Sequence, residues 1–158
     1  MKEKVRIFTD KKIKITLEYE KNNLTRITIK EEKRKTKQKI IGRNTKEAKA
    51  ILEYFEGKGK NFDDIKLNLE TFSEKERKVL EQMRKIKYGE LISYKKLAEM
   101  CGNKKMARFI GNVCAKNPFP IIIPCHRVIK TGGSIGNYTA GKKNQETAYR
   151  FGKKVNNN

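Results

Sequence analysis

The chain has 158 residues, enough for one domain or two small ones with a real core. Hydrophobic and charged residues each make up 36% of it, and no apolar run approaches the ~20 residues of a helix that spans a bilayer. Its 39 basic and 18 acidic residues leave a net charge of +21, an excess that points to a polyanion partner rather than to solubility alone.

The N-terminus, Met1-Lys2-Glu3-Lys4, is charged and has no secretory apolar core behind it. Val5-Arg6-Ile7-Phe8 suits a strand. Ile13 to Tyr19 and Leu24 to Ile29 alternate apolar with polar residues across a turn at Asn22-Asn23, the pattern of a hairpin half-buried on one face. Lys30 to Lys39 has no periodicity and reads as an exposed loop. Thr45 is placed as an N-cap, with Ala48, Ile51, Leu52 and Phe55 on one helical stripe and Gly57 closing the helix.

Residues 57–71 mix Gly, Lys, Asn and Asp, the composition of a linker. Ser73 followed by Glu76 is a capping-box signal, and Val79, Leu80, Met83 and Ile86 continue that helix at core spacing. Ser93 to Met100 reads as a short helix ended by Gly102. A second helix runs from about Lys104 to Lys116 and is stopped by Asn117-Pro118. Two short helices joined by a Gly-containing turn fit a helix-turn-helix, and Lys104, Lys105, Arg108 and Lys116 give the second one a basic face. Ile121-Ile122-Ile123 is expected to be a buried strand delivering Cys125 to a Pro-directed turn. Gly132-Gly133 and Gly136 mark a loop, and 140–151 suits a last helix.

The fold class is therefore α+β. A small N-terminal antiparallel sheet-plus-helix domain, 1–70 including the linker, precedes a mostly helical C-terminal domain, 71–158. The latter holds the helix-turn-helix and the Pro-Cys-His-Arg turn.

Three cysteines with no CxxC pair argue against a disulfide framework and fit a reducing compartment, the cytoplasm or a nucleus. Cys101, Cys114, Cys125 and His126 have no usual zinc spacing, and no metal is expected. Cys125 stands beside the only histidine, His126. From Met100 to the end there are eleven Lys/Arg and one acid, Glu146. Such a field is expected to depress the thiol pKa and expose a soft nucleophile. Cys101 and Cys114 are expected to be buried and inert.

Gly89-x-x-x-Ser93-Tyr94, Ala107-Arg108, Asn117-Pro118, Pro124-Cys125-His126-Arg127-Val128 and Gly136-Asn137-Tyr138 occur in one order at tight spacing. Over roughly 72–138 this set resembles the O6-alkylguanine-DNA alkyltransferases. The resemblance implies direct, stoichiometric transfer of an alkyl group from guanine O6 in duplex DNA to Cys125, by a monomer without cofactor. It implies that His126 takes the thiol proton and that Tyr94 stabilises the leaving oxyanion. Arg108 would fill the space of the everted base, Ala107 and Gly111 would permit close minor-groove approach, and Lys104 and Lys105 would meet phosphates. Val128, Tyr138 and Thr139 would line the guanine pocket, while Asn117 and Arg127 would support the turn. The family's glutamate that orients the histidine falls here at Gly152, leaving Glu90, Glu99, a displaced Glu146 or no carboxylate for that role. A damage sensor that binds alkylguanine without repairing it is the alternative, although such relatives lack the cysteine. A lysine-rich architectural nucleic-acid binder is a third reading.

Overall fold

The computed structural model describes residues 1–9, 12–58 and 61–134. Four strands, β1 (Lys2–Thr9), β2 (Ile13–Glu20), β3 (Asn23–Glu31) and β4 (Lys39–Ile41), form an antiparallel sheet in the order β3-β2-β1-β4. Alternation decides the faces. Val5, Ile7, Ile13, Ile15, Leu17, Tyr19, Ile27 and Ile29 all point to one buried side. Lys21 and Asn22, both at positive φ, make the hairpin turn one residue earlier than the sequence suggests. The expected loop 30–39 ends in β4, which pairs with β1 through Phe8 and Lys39. Three residues are too few to show a period, so the strand was invisible in sequence.

Helix α1 (Lys46–Phe55) covers the buried face of the sheet. Its Thr45 hydroxyl accepts from Ala48 N–H and is bonded to the Tyr19 hydroxyl at 2.7 Å, so one side chain caps the helix and ties it to β2. The segment 61–72 has no regular structure but is pinned. Ile65 is buried, and Arg84 Nη2 donates to the Phe62 and Ile65 carbonyls at 2.7 and 2.5 Å. Helix α2 (Glu74–Arg84) begins with the reciprocal Ser73/Glu76 capping box and buries Val79, Leu80 and Met83. No helix among the described residues is long and apolar enough to cross a membrane.

Helices α3 (Tyr94–Met100) and α4 (Ala107–Lys116) follow, joined by Gly102 at φ +89° and a 3-10 turn over Lys104–Met106. The expected single helix from 104 to 116 is thus two pieces, a 3-10 turn whose start Asn103 caps through Lys105 N–H and then α4 from Ala107. Two short strands, β5 (Ile92–Ser93) and β6 (Val128–Ile129), pair in parallel. One apolar cluster runs continuously from the sheet through α1 to α2, α3 and α4. Two polar links cross with it: Ile27 N–H donates to the Pro118 carbonyl at 2.8 Å, and Arg127 reaches Tyr54 of α1.

Candidate active site

The Ile121-Ile122-Ile123 run is not a strand. It is a buried turn, with Ile121 at φ +78°, a conformation that β-branched side chains rarely adopt and that costs about 1–3 kcal/mol. The run stays apolar because every residue from 119 to 128 is buried, not because it pairs in a sheet. Two backbone bonds tighten it: Ile123 N–H to the Phe119 carbonyl and Cys125 N–H to the Ile123 carbonyl, both 2.8 Å. Cys125, His126 and Arg127 then form one turn of 3-10 helix leading into β6.

Asn117 holds this turn to the end of α4. Preceding Pro118, it leaves the helical region at ψ 112°. Its Nδ2 donates to the Ile123 carbonyl at 2.9 Å, and its Oδ1 accepts from Phe119 N–H at 3.0 Å. The same side chain hydrogen-bonds the Cys125 thiol, with backbone groups of Cys125 and His126 also favouring the thiolate.

These bonds do not win. Burial raises the Cys125 pKa above the ordinary thiol value, contrary to the depression expected from the basic stretch. The residue is 4% exposed, so the sulfur is not the open nucleophile that the charge pattern suggested. Lys104, Lys105, Arg108, Lys116 and Lys130 are all exposed, where solvent and salt screen them, whereas desolvation acts on the sulfur itself. Cys114, on α4, is pushed up further by burial and by its proximity to Cys125, and burial also raises Cys101.

His126 is 3% exposed, and neither ring nitrogen has a hydrogen-bond partner among the described residues. Burial, reinforced by Arg127, lowers its pKa to about 3, so the ring is neutral at pH 7. Neither Glu90 nor Glu99 orients it. Glu90 instead accepts from Lys87 N–H at 2.9 Å. Gly136, Asn137, Tyr138, Thr139, Glu146, Gly152 and the expected last helix lie outside the described residues.

The histidine has a consequence for acid stability. An unfolded His126 titrates near 6.5 and the folded one near 3, so between those values the unfolded chain binds the extra proton. Its contribution is complete above pH 6.5 and is lost as pH falls toward 3. We expect on the order of a few kcal/mol of stability to disappear over that window. A His126→Gln variant should show a flatter loss in urea midpoints measured from pH 7 to 4, and an equally steep loss would contradict this account.

Arg127 is buried at 7% exposure, and among the described residues no carboxylate pairs with it. Its Nη1 donates to the Ile86 carbonyl at 2.9 Å, its Nη2 lies 3.5 Å from the Tyr54 hydroxyl, and its guanidinium sits 5.5 Å from the Tyr88 ring centre. Tyr54 was missed in sequence, although Ile51, Tyr54 and Phe55 have the i, i+3, i+4 spacing of one buried stripe. The β5–β6 pairing places Ile92 against Val128 and Ser93 against Ile129. It thereby sets Tyr94, with its buried hydroxyl, beside the segment leaving the cysteine turn. On α4 the buried side is Ile110, Val113 and Cys114. The outer side carries exposed Arg108 with half-buried Ala107 and Gly111, while Lys104 and Lys105 are exposed just before it. These basic residues are not brought to the thiol. Arg108 shares the helix whose end holds it, and Lys104 and Lys105 lie in the turn before that helix.

A family model described as "6-O-methylguanine DNA methyltransferase, DNA binding domain" matches residues 74–152. The methylated-DNA–protein-cysteine methyltransferase of Rattus norvegicus is 52% identical over 66 residues, 41% of this chain and 32% of that protein. The protein of the same description from Metallosphaera sedula is 42% identical over 93 residues, 59% of this chain and 57% of its own. The matched stretch therefore spans about a third of the rat relative's length. Among solved structures, a variant of the M. tuberculosis O6-methylguanine methyltransferase is similar at TM-score 0.71 and 25% identity, over 97% of this chain and 93% of that one.

Proposed function

The chain belongs to the 6-O-methylguanine DNA methyltransferase family, and from that premise we propose that it repairs O6-alkylguanine in duplex DNA by moving the alkyl group to Cys125. The observation that carries this reading is the Cys125 thiol. It is held by Asn117 and by its own turn's backbone, next to a neutral imidazole.

The cysteine proton leaves toward His126. The sulfur attacks the alkyl carbon in line, forming an S–C bond as the C–O6 bond breaks. The electron pair passes to guanine O6, where the Tyr94 hydroxyl donates to the developing anion. The product thioether is not displaced again, so each molecule acts once. The step is a displacement and asks for no redox partner. Burial of the thiol suits it, because a desolvated thiolate is a stronger nucleophile once its proton is removed.

The alkylated base must leave the stack to meet such a sulfur. We read α3 and α4 as a helix-turn-helix with α4 entering the minor groove. Arg108 occupies the emptied position, Ala107 and Gly111 permit close approach, and Lys104 and Lys105 contact phosphates. Val128, with Tyr138 and Thr139, borders the guanine. Asn117 and Arg127 position the turn. The chain acts as a monomer on duplex DNA, in the cytoplasm or a nucleus, with 71–158 as the DNA-handling unit and 1–70 as its support.

Duplex DNA carrying O6-[³H-methyl]guanine tests the reading. We expect one equivalent of label on the protein, mapped to the peptide containing Cys125. Lesion-selective binding without label would favour the sensor. Equal affinity for damaged and intact duplex would favour the architectural protein.

The pH dependence is a second check. Because the thiol pKa is raised, the thiolate fraction grows up to about tenfold per pH unit across neutrality. Benzyl transfer from O6-benzylguanine should therefore quicken from pH 6 to 9. A half-maximal rate near 6.5 would instead report histidine titration, which a ring at about 3 does not allow.

A further inference from the structure

The outer face of the four-stranded sheet has more positive charge than the fold requires. Register sets the even-numbered residues of β1 and β2 on this face in rows. One row runs Lys39–Phe8–Lys14–Lys30 across all four strands, and the next runs Ile41–Arg6–Thr16–Thr28. A third places Lys4 against Glu18 and Glu18 against Arg26. Four strands set the first row about 14 Å long.

Lys14 and Lys30 stand directly opposite, a like-charge pairing that weakens a sheet. Lys14 is relieved by Glu32 at 3.1 Å, and Lys4 by Glu18 at 3.0 Å. Lys39 lies 5.3 Å from the Phe8 ring centre. Among the described residues Arg6, Arg26 and Lys30 have no ion-pair partner.

Lysines on edge strands discourage edge-to-edge aggregation, which accounts for Lys30 and Lys39. It does not account for Lys4, Arg6 and Lys14, which are on the central pair β1 and β2. The loop leaving β3 adds exposed Lys33, Arg34, Lys35 and Lys37 beside this face.

We propose that this sheet face is a second nucleic-acid surface, binding the phosphate backbone of duplex DNA at a place separate from the Cys125 site. A regular array of cations, three of them without an ion-pair partner among the described residues, complements a regular array of phosphates, and such contacts need no base recognition. Phe8 and Ile41 are its large apolar side chains, too little for insertion into a lipid layer. The surface shares no residue with α4, so one molecule can hold two duplex segments. The proposal does not depend on alkyl transfer.

The test uses lesion-free duplex and a variant carrying Arg6→Gln, Arg26→Gln, Lys30→Gln and Lys39→Gln. At about 0.9 per lost phosphate contact, the slope of log K against log[KCl] should become shallower by about 2–4. Energy transfer between donor- and acceptor-labelled duplexes, which reports bridging, should be lost. Benzyl transfer from free O6-benzylguanine should be unchanged, showing that the variant is folded and that the chemistry is separate. A charge-keeping variant (Arg6→Lys, Arg26→Lys, Lys30→Arg, Lys39→Arg) should retain slope and bridging. An unchanged slope with bridging intact in the Gln variant would overturn the proposal. So would tighter binding to phosphatidylserine vesicles than to DNA, lost in the same variant.

Discussion

We expect Cys125→Ala protein incubated with O6-benzylguanine to gain no mass, and the parent to gain one benzyl group on the peptide containing Cys125. We expect the rate to fall by at least about 10³, because among the described residues no other nucleophilic group is proposed to receive the alkyl carbon. Cys114 is the nearest alternative thiol described, and burial together with the neighbouring Cys125 raises its pKa well above the ordinary value, which keeps it protonated. Affinity for lesion-bearing duplex should stay within about threefold, since the residues of α4 proposed to face DNA are untouched. The melting temperature should fall by several degrees, as the sulfur's bonds to Asn117 and to the backbone of Cys125 and His126 are lost, about 1 kcal/mol each. Mass gain in the variant, wherever it mapped, would remove Cys125 from the role assigned to it.

Arg127→Ala should be the most damaging substitution for the fold. It leaves the buried Ile86 carbonyl without its donor and the Tyr54 hydroxyl without its neighbour. It also strips a guanidinium from the Tyr88 ring. Losing charge-assisted bonds at a buried site costs about 2–4 kcal/mol, which for a chain of this size lowers Tm by about 5–15 °C. Arg127→Lys should recover only part of this, because an ammonium cannot serve the carbonyl and the hydroxyl in one plane. Thermal melts of the three proteins decide the matter, and a shift under 2 °C for the alanine variant would show the arginine to be ornamental.

Much of the fold was legible because its signals are local and periodic. The β2–β3 hairpin announces itself by alternation. The Thr45 and Ser73 caps are fixed by hydroxyl chemistry three residues from their targets, and both appear where the sequence put them. What failed was non-local. Strand β4 and the β5–β6 pair are two or three residues long and exist only because a distant partner receives them. The isoleucine run looked like a strand since burial on all sides and strand burial demand the same residues, and only φ at Ile121 separates them.

The candidate site divides the same way. Cys125, His126 and Asn117 could be named from their order along the chain. The direction of the thiol pKa could not, because a count of charges contains no depth. Tyr54 joins the site from 73 residues away, a distance no motif reports.

The Ile27–Pro118 bond and the Arg127–Tyr54 contact fasten the amino-terminal hairpin and α1 to the loop that carries the sulfur. Heat or urea that frays the outer strand should therefore release that loop in the same event. Calorimetry should record a single endotherm, and protection of the Ile27 amide against deuterium should vanish together with alkyl uptake.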